Sequence, residues 1–403
     1  MQDRVIRILF SLLWIELCLG GGGRFTAWGP LSLRMIFFVT ALSIAAIAFV
    51  KGKRISNSYW RLVLLFLITT GIGLGVGLLD HADRKFWWQD VKPLLYFLIL
   101  PFFALAIQNK KDIHQVARII QGSAMVMMAL FFITLILIHT HVVSFLPFYN
   151  ATIKTEEIFF RGEFTFFYKG FLFFGIAIIF FYFNLKSPVK YVIVTFLVIA
   201  LFLSLTRGFL LALSITIFSY FLLKKSFLKS FVLISIAVAV LFLGRNAISF
   251  ASRWIAQQNE RQDDGKNKSR ELDPTLLGDR SFSDNERIAQ LRQVAQRTTF
   301  SSTLVGHGFG FGVPIRPVHM EISYLEIFHK QGLIGLTFWV ILLVSVWQKF
   351  RAAPTSGLAE AFFFSSLFVF FQSFTNQYIN NPIGLSVLLL SLVCLDQLKE
   401  ERG

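Results

Sequence analysis

The chain has 403 residues, 55% of them hydrophobic, and a mean hydropathy of +0.64. So much apolar surface cannot be buried in one soluble core, which excludes an ordinary soluble enzyme and indicates membrane-spanning helices. The net charge of +16 comes from lysines and arginines in short clusters between apolar segments, and this pattern indicates membrane orientation rather than nucleic-acid binding.

Apolar segments of bilayer-spanning length recur along the whole chain, and they predict an all-α fold, a polytopic bundle of about twelve transmembrane helices. The predicted spans are 5–21, 31–50, 62–79, 93–108, 117–139, 168–184, 189–205, 209–223, 230–246, 332–348, 358–374 and 383–397. Nine spans fall in 1–245 and three, with a short tail, in 332–403, so that 246–331 forms one large loop containing short helices.

Basic clusters occupy every second connection, as at 51–54 and 224–229. By the positive-inside rule these connections and both termini are cytoplasmic. The remaining connections, including the large loop, then lie on the opposite side, which is the periplasm if the chain comes from a Gram-negative cell. We therefore predict a multi-pass inner-membrane protein whose active face is periplasmic.

Two of the outer connections carry arginines that are candidate site residues. Arg207 lies in Ser204–Gly208, between two apolar segments too close for a real loop, and it either marks a helix end or binds an anion such as a lipid diphosphate. Arg161 lies among phenylalanines and charges of both signs in 156–169. That mixture suits a lip that handles a polar head group with a lipid tail, and it suits an interfacial amphipathic segment equally well.

The large loop contains a predicted helix at 283–300, in which Ser283 and Glu286 form a capping box. Its apolar stripe is predicted from four residues, Ile288, Leu291, Val294 and Ala295. Arg287 projects into this stripe and therefore needs either an acid of the same loop or a phosphate as its partner.

The glycine-rich segment 306–312 lacks the preceding strand and following helix of a dinucleotide-binding fingerprint, and no P-loop sequence occurs. A flexible turn of exposed backbone is expected there instead. If Pro317 opens a helix, Glu321 lies on its apolar face, while His319 shares the other face with Glu326 and Lys330. Glu321 is thus the predicted buried acid, either as a general base or as a structural partner of an arginine.

Several of these segments together resemble the superfamily of O-antigen polymerases and O-antigen ligases. They are Arg161-Gly162, Ser204-Leu205-Thr206-Arg207-Gly208, Gly306-His307-Gly308-Phe309-Gly310, and Tyr324-Leu325-Glu326 followed by Gly332-Leu333-Ile334-Gly335. The resemblance implies a transmembrane glycosyltransferase of the C type that transfers glycan from an undecaprenyl-diphosphate donor without a metal or other cofactor. By the family's pattern a His-Asn pair should fall at Glu321-Ile322, but this chain has its histidine two positions earlier, at His319. In ligases of the family that histidine is tied to activity, so its displacement favours a polymerase unless a shift in register brings His319 to the same place.

The resulting hypothesis gives each candidate residue a role. Arg207 and Arg287, helped by Arg161 or Arg253, hold the diphosphate, while Glu321 or His319 takes the proton of the attacking hydroxyl. The large loop acts as a lid over this site. The acceptor is a lipid-linked repeat unit in a polymerase or the lipid A core in a ligase. Membrane lipid and a chain-length regulator are the other expected partners, and a transporter or flippase of lipid-linked saccharide is the alternative from another functional class.

Overall fold

The computed structural model describes residues 2–29, 31–160, 165–226 and 280–400, which are mostly helical. The helices are α1 Gln2–Leu19, α2 Leu33–Val50, α3 Asn57–Leu79, α4 Arg84–Leu94, α5 Leu100–Ala106, α6 Lys110–His139, α7 Phe145–Ile153, α8 Leu172–Asn184, α9 Val189–Leu203, α10 Arg207–Leu223, α11 Arg280–Arg297, α12 Phe300–Val305, α13 Ser323–Ala352, α14 Gly357–Gln372 and α15 Pro382–Glu400. A 3-10 turn joins α4 to α5. The strands β1 Ala27–Trp28 and β2 Leu31–Ser32 form one antiparallel hairpin, and β3 Ile158–Phe160 and β4 Phe166–Tyr168 form another.

Helices occupy every predicted span except 230–246, which lies outside the described residues. Within the described ranges, six helical segments are long and apolar enough to cross a membrane, and they are Leu33–Val50, Asn57–Leu79, Arg84–Ala106, Lys110–His139, Ser323–Ala352 and Pro382–Lys399. Shorter apolar helices, α8, α9, α10 and α14, accompany them. The mostly helical, multi-pass architecture expected from the sequence is therefore confirmed.

The core of the bundle is formed around α8, α14 and α15. Every residue of α8 from Leu172 to Phe181 is buried, as expected for a helix that is apolar on all sides and enclosed by others. Phenylalanine rings supply much of this contact, and Phe171 stacks on Phe174 with ring centroids 4.6 Å apart. Helices α2 and α3 instead leave many apolar side chains exposed, which suits contact with lipid.

Helix α13 is interrupted at Gly332, whose φ of 62° and ψ of −156° are not helical. A glycine adopts these angles without the steric cost of a Cβ atom. Near the interruption, the carbonyls of His329 and Lys330 accept hydrogen bonds from the amides of His307 at 2.8 Å and Gly308 at 3.0 Å. A loop from elsewhere in the chain thus satisfies backbone groups of the broken helix.

The glycine-rich segment 306–312 is a packed connection, so the prediction of a flexible, exposed turn is wrong. None of its seven residues is exposed, and four of them, Gly306, Gly308, Phe309 and Gly310, are buried. The Phe309 amide donates to the carbonyl of Gly73 in α3 at 3.0 Å, and a Cβ on Gly77 would lie 2.3 Å from the Phe309 carbonyl oxygen. The missing side chains permit close packing between α3 and α13 rather than motion.

The predicted helix of the large loop is present as α11, but it begins at Arg280 and its buried face differs from the predicted stripe. Ile288 and Leu291 are 56% and 48% exposed. The buried face instead carries three residues spaced by about one turn, Glu286, Gln290 and Val294. Polar contacts of this face to the segment before α13, rather than apolar burial alone, decide how α11 is oriented.

We expect Gly77→Ala to destabilise the protein, because the added methyl group would collide with the backbone of Phe309. Overpacking of this kind typically costs about 1–3 kcal/mol. Thermal unfolding of the detergent-purified protein measures the effect. Gly75→Ala in the same helix is the matched control, since no atom lies within 4 Å of its added Cβ and alanine favours the helix. Equal melting temperatures for the two variants would contradict the proposed packing.

Candidate active site

A buried ion cluster joins α4 to α13. The ammonium nitrogen Nζ of Lys330 lies 2.6 Å from Oδ1 of Asp90 and 2.6 Å from Oε1 of Glu326. The three side chains are at most 5% exposed. Moving a charge out of water costs roughly several kcal/mol per ion. Because of this cost, charged residues within membrane-spanning segments are rare, and those that occur are usually functional.

Polar groups from two connections complete the cluster. The amide of Gly310, in the glycine-rich segment, donates to Oδ2 of Asp90 at 2.8 Å. The second oxygen of Glu326, Oε2, accepts from the side-chain amides of Gln377 at 2.6 Å and Asn380 at 2.8 Å. Each of the four carboxylate oxygens therefore accepts at least one hydrogen bond, which offsets the cost of burying two acids.

His319 stands at the exposed edge of this cluster. Its Nδ1 lies 3.3 Å from Oε1 of Glu326 and 3.7 Å from Oδ1 of Asp90, and its side chain is 44% exposed. A carboxylate can only accept, so this contact assigns the ring proton to Nδ1 and leaves the lone pair on Nε2. The imidazole is thereby oriented to accept a proton at Nε2.

The helix expected to open at Pro317 does not form, because α13 begins only at Ser323. The expectation that His319 and Glu326 lie together is nevertheless met, since the irregular segment 317–322 folds back along α13. Glu321 does not occupy the buried position predicted for it. Its side chain is 22% exposed, and Glu326 is the buried acid.

The ligand atoms of Asp90, His319 and Glu326 lie within 4.8 Å of one another, a spacing that could hold a metal ion. Lys330 Nζ already bonds to both carboxylates of this group. A metal would have to displace the ammonium or share its ligands. The arrangement is thus complete with lysine as its cation, and it does not by itself indicate a metal centre.

A cavity of about 620 Å³ adjoins the cluster. Asp90, His319, Glu326 and Lys330 form part of its wall. The rest of the wall comes from the N-terminal part of α2, the 22–29 connection, the segment 88–96, Lys169 and the 377–382 connection, together with Phe309, Ile327 and Gln331. Connections that the sequence assigned to one side of the membrane therefore meet around a single space.

Arg287 and Glu321 form an ion pair with each other, separate from the cavity wall. Arg287 Nε lies 2.7 Å from Oε2 of Glu321. Arg316 connects the pair to α11, because its Nη2 lies 3.4 Å from Glu321 Oε1 and 3.0 Å from Glu286 Oε2. The hydrogen bond to Glu286 also raises the pKa of Arg316. Of the partners left open for Arg287, the structure provides an acid of the same loop.

Arg207 is the first residue of α10 and is exposed. No ion pair links it to a carboxylate in the described ranges. The next residue, Gly208, packs so closely on the connection after α14 that an added Cβ would lie 2.4 Å from the hydroxyl oxygen of Thr375. Arg207 therefore stands beside the connection that supplies Gln377 and Asn380, although it is not part of the cavity wall. Arg161 and Arg253 lie outside the described residues.

The sequence did not indicate a role for Asp90, and it predicted for Glu326 and Lys330 only that they share a helix face with His319. One signal was available: Glu326 and Lys330 are four residues apart, the spacing of an ion pair on one helix face. Nothing local pointed to Asp90, which is distant in sequence and pairs with Lys330 only because the glycine-rich segment brings α3, α4 and α13 together.

We expect Lys330→Met to lower the free energy of unfolding by about 3–5 kcal/mol, because it leaves two buried carboxylates without their cation. Adding Asp90→Asn should recover part of this loss. The matched control is Lys224→Met, which removes an ion pair to Glu360 whose lysine is 46% exposed and should cost at most about 1 kcal/mol. Denaturant or thermal unfolding in detergent measures all three, and equal losses for Lys330→Met and Lys224→Met would count against the cluster.

Comparison with known proteins adds a relationship along the whole chain. No protein-family model matches. An O-antigen polymerase of Shigella flexneri is 26% identical over 396 residues, which cover 96% of this chain and 94% of the relative. The resemblance indicated by the short motifs is thereby confirmed, since the chain is similar to an O-antigen polymerase along nearly its whole length.

Proposed function

We propose that the chain polymerises O-antigen or a related surface polysaccharide. It transfers glycan from an undecaprenyl-diphosphate-linked donor to a lipid-linked repeat unit at the periplasmic face of the inner membrane, with both termini in the cytoplasm. The full-length relationship to an O-antigen polymerase is the observation that carries this proposal. A cavity that combines an oriented imidazole with cationic walls supplies the chemistry the transfer needs.

The reaction proposed is a direct displacement. His319 Nε2 takes the proton from a hydroxyl of the acceptor sugar, and the hydroxyl oxygen attacks the anomeric carbon of the donor. The bond from that carbon to the diphosphate oxygen breaks, so the carrier lipid leaves as its diphosphate and the configuration at the carbon inverts. Glu326 acts as a positioning residue, because its contact with Nδ1 fixes the tautomer and stabilises the imidazolium that forms.

Of the candidates for the base, His319 is favoured over Glu321. His319 borders the cavity, whereas Glu321 already bonds to Arg287 and Arg316. Arg287 is the weaker candidate for a diphosphate ligand for the same reason. Arg207 is a ligand for the leaving group or for the approaching substrate, since its guanidinium lies exposed beside the connection that enters the cavity wall.

The ligase alternative transfers the same glycan to the lipid A core, and the name of the relative favours polymerisation over it. A transporter of lipid-linked saccharide would bind substrate without breaking a glycosidic bond. Purified protein, a lipid-linked repeat unit and a gel that resolves glycan length distinguish a polymerase, which lengthens the glycan, from a transporter, which leaves it unchanged. A second reaction that contains lipid A core as the acceptor distinguishes a ligase from a transporter. A chain-length regulator is the proposed protein partner of the polymerase.

Deletion of the gene in its strain of origin tests the proposal. Loss of a polymerase leaves lipopolysaccharide as core plus a single repeat unit, whereas loss of a ligase leaves bare core with polymer on the carrier lipid. We expect the first pattern. An unchanged set of surface glycans would overturn the assignment to polysaccharide synthesis.

His319→Ala should reduce the rate of polymerisation by about 10²- to 10⁴-fold, the usual contribution of a general base. Glu321→Gln should retain most of the activity, because it removes an ion pair outside the cavity wall. Transfer by purified protein gives the rates, and membrane abundance of each variant controls for folding. Wild-type activity of His319→Ala, or loss of activity only in Glu321→Gln, would reverse the assignment of the base.

A further inference from the structure

The cavity wall carries two lysines without an ion-pair partner among the described carboxylates. Lys92, near the end of α4, is exposed. Lys169, after β4, lies with its ammonium 5.6 Å from the centroid of the Phe159 ring. The nearby Glu157 carboxylate is engaged elsewhere, since it accepts the amides of Gly22 at 2.6 Å and Arg24 at 3.2 Å. These two cations contrast with Lys330, which is held between two acids.

A third donor in the wall is partly unused. Arg34 of α2 is 5% exposed and binds Glu16 through Nε at 2.7 Å and Nη2 at 3.1 Å. Its Nη2 also donates to the carbonyl of Gly21 at 2.7 Å. These bonds fix the guanidinium, while its Nη1 is buried without a hydrogen-bond partner in the described part of the chain. An acceptor bound in the cavity is the group that could satisfy such a donor.

Another part of the wall is apolar and reaches the lipid-facing surface. Met35, Phe38 and Val39 of α2 line the cavity. Val39 is 59% exposed, on a helix that is long and apolar enough to span the membrane. The cavity therefore combines a cationic region with an apolar side that continues onto the surface facing the acyl chains.

We propose that this cavity binds a prenyl diphosphate, with Lys92 and Lys169 as ligands of the diphosphate, Arg34 as a supporting donor, and Met35, Phe38 and Val39 in contact with the prenyl chain. The inference rests on the proposed function and assigns the lipid-diphosphate part of its substrate to these residues. The cations lie in the same cavity as His319, so the diphosphate and the proposed base occupy one space. The lysine ammonium binds a phosphate as a compact point charge through charge-assisted hydrogen bonds. It does not need the paired, planar geometry of an arginine guanidinium.

Binding of farnesyl diphosphate to the purified full chain in zwitterionic nanodiscs tests the proposal. We expect farnesyl diphosphate to bind at least about tenfold more tightly than farnesol or inorganic pyrophosphate, since each of these lacks one of the two recognised parts. Lys92→Gln and Lys169→Gln should each weaken farnesyl diphosphate binding by about tenfold or more, and the corresponding arginine variants should retain most of it. Lys85→Gln, an exposed lysine of the same helix outside the cavity wall, is the matched control.

Val39→Ser should weaken the binding of farnesyl diphosphate and leave the binding of pyrophosphate unchanged. Repeating the titration with an anionic lipid in the nanodisc distinguishes a specific subsite from general attraction to anionic headgroups. A specific subsite should keep its preference for farnesyl diphosphate, whereas cations that attract any anionic headgroup should lose this preference. The subsite is disproved if wild-type protein does not bind farnesyl diphosphate, or if both glutamine variants bind it as the wild type does. If both glutamine variants bind farnesyl diphosphate as the wild type does and their strains show normal lipopolysaccharide banding, the subsite is wrong but the polymerase assignment stands. The deletion strain tests the polymerase assignment independently.

Discussion

The buried bridge from Lys330 to Asp90 and Glu326 is the interaction on which the site depends. It connects α4 to α13. Glu326 in turn orients His319 and accepts hydrogen bonds from the side-chain amides of Gln377 and Asn380. An ammonium buried between two carboxylates is stable only when the remaining carboxylate oxygens also accept hydrogen bonds. The surrounding connections supply those hydrogen bonds, which explains why they converge at this point.

The break in α13 makes that convergence possible. At Gly332 the helix leaves its regular path, and the amides of His307 and Gly308 bond to carbonyls just before the break. The same segment continues to Gly310, whose amide binds Asp90. One short glycine-rich stretch therefore stabilises the broken helix and positions an acid of the cluster, and both tasks require its backbone to approach other segments closely.

The large loop contains a second polar network, in which Arg287, Glu321, Arg316 and Glu286 hold α11 against the segment before α13. This network fixes the segment that carries His319 without itself lining the cavity. Charges that look alike in the sequence thus divide into two groups, one that supports the loop and one that surrounds the cavity. The first group therefore bears on the cavity only through the segment that carries His319, whereas the second contributes side chains to the cavity wall.

The sequence alone determined the membrane class, the helical fold and the grouping of the outer connections, because apolar length and the placement of basic residues are local properties that the bilayer enforces. It also placed His319 beside Glu326, although by way of a helix that does not form. Tertiary structure decided that Glu326 rather than Glu321 is buried, that Asp90 joins Lys330, and that the glycines pack instead of flexing. Those outcomes depend on contacts between segments up to 240 residues apart, which no local periodicity records.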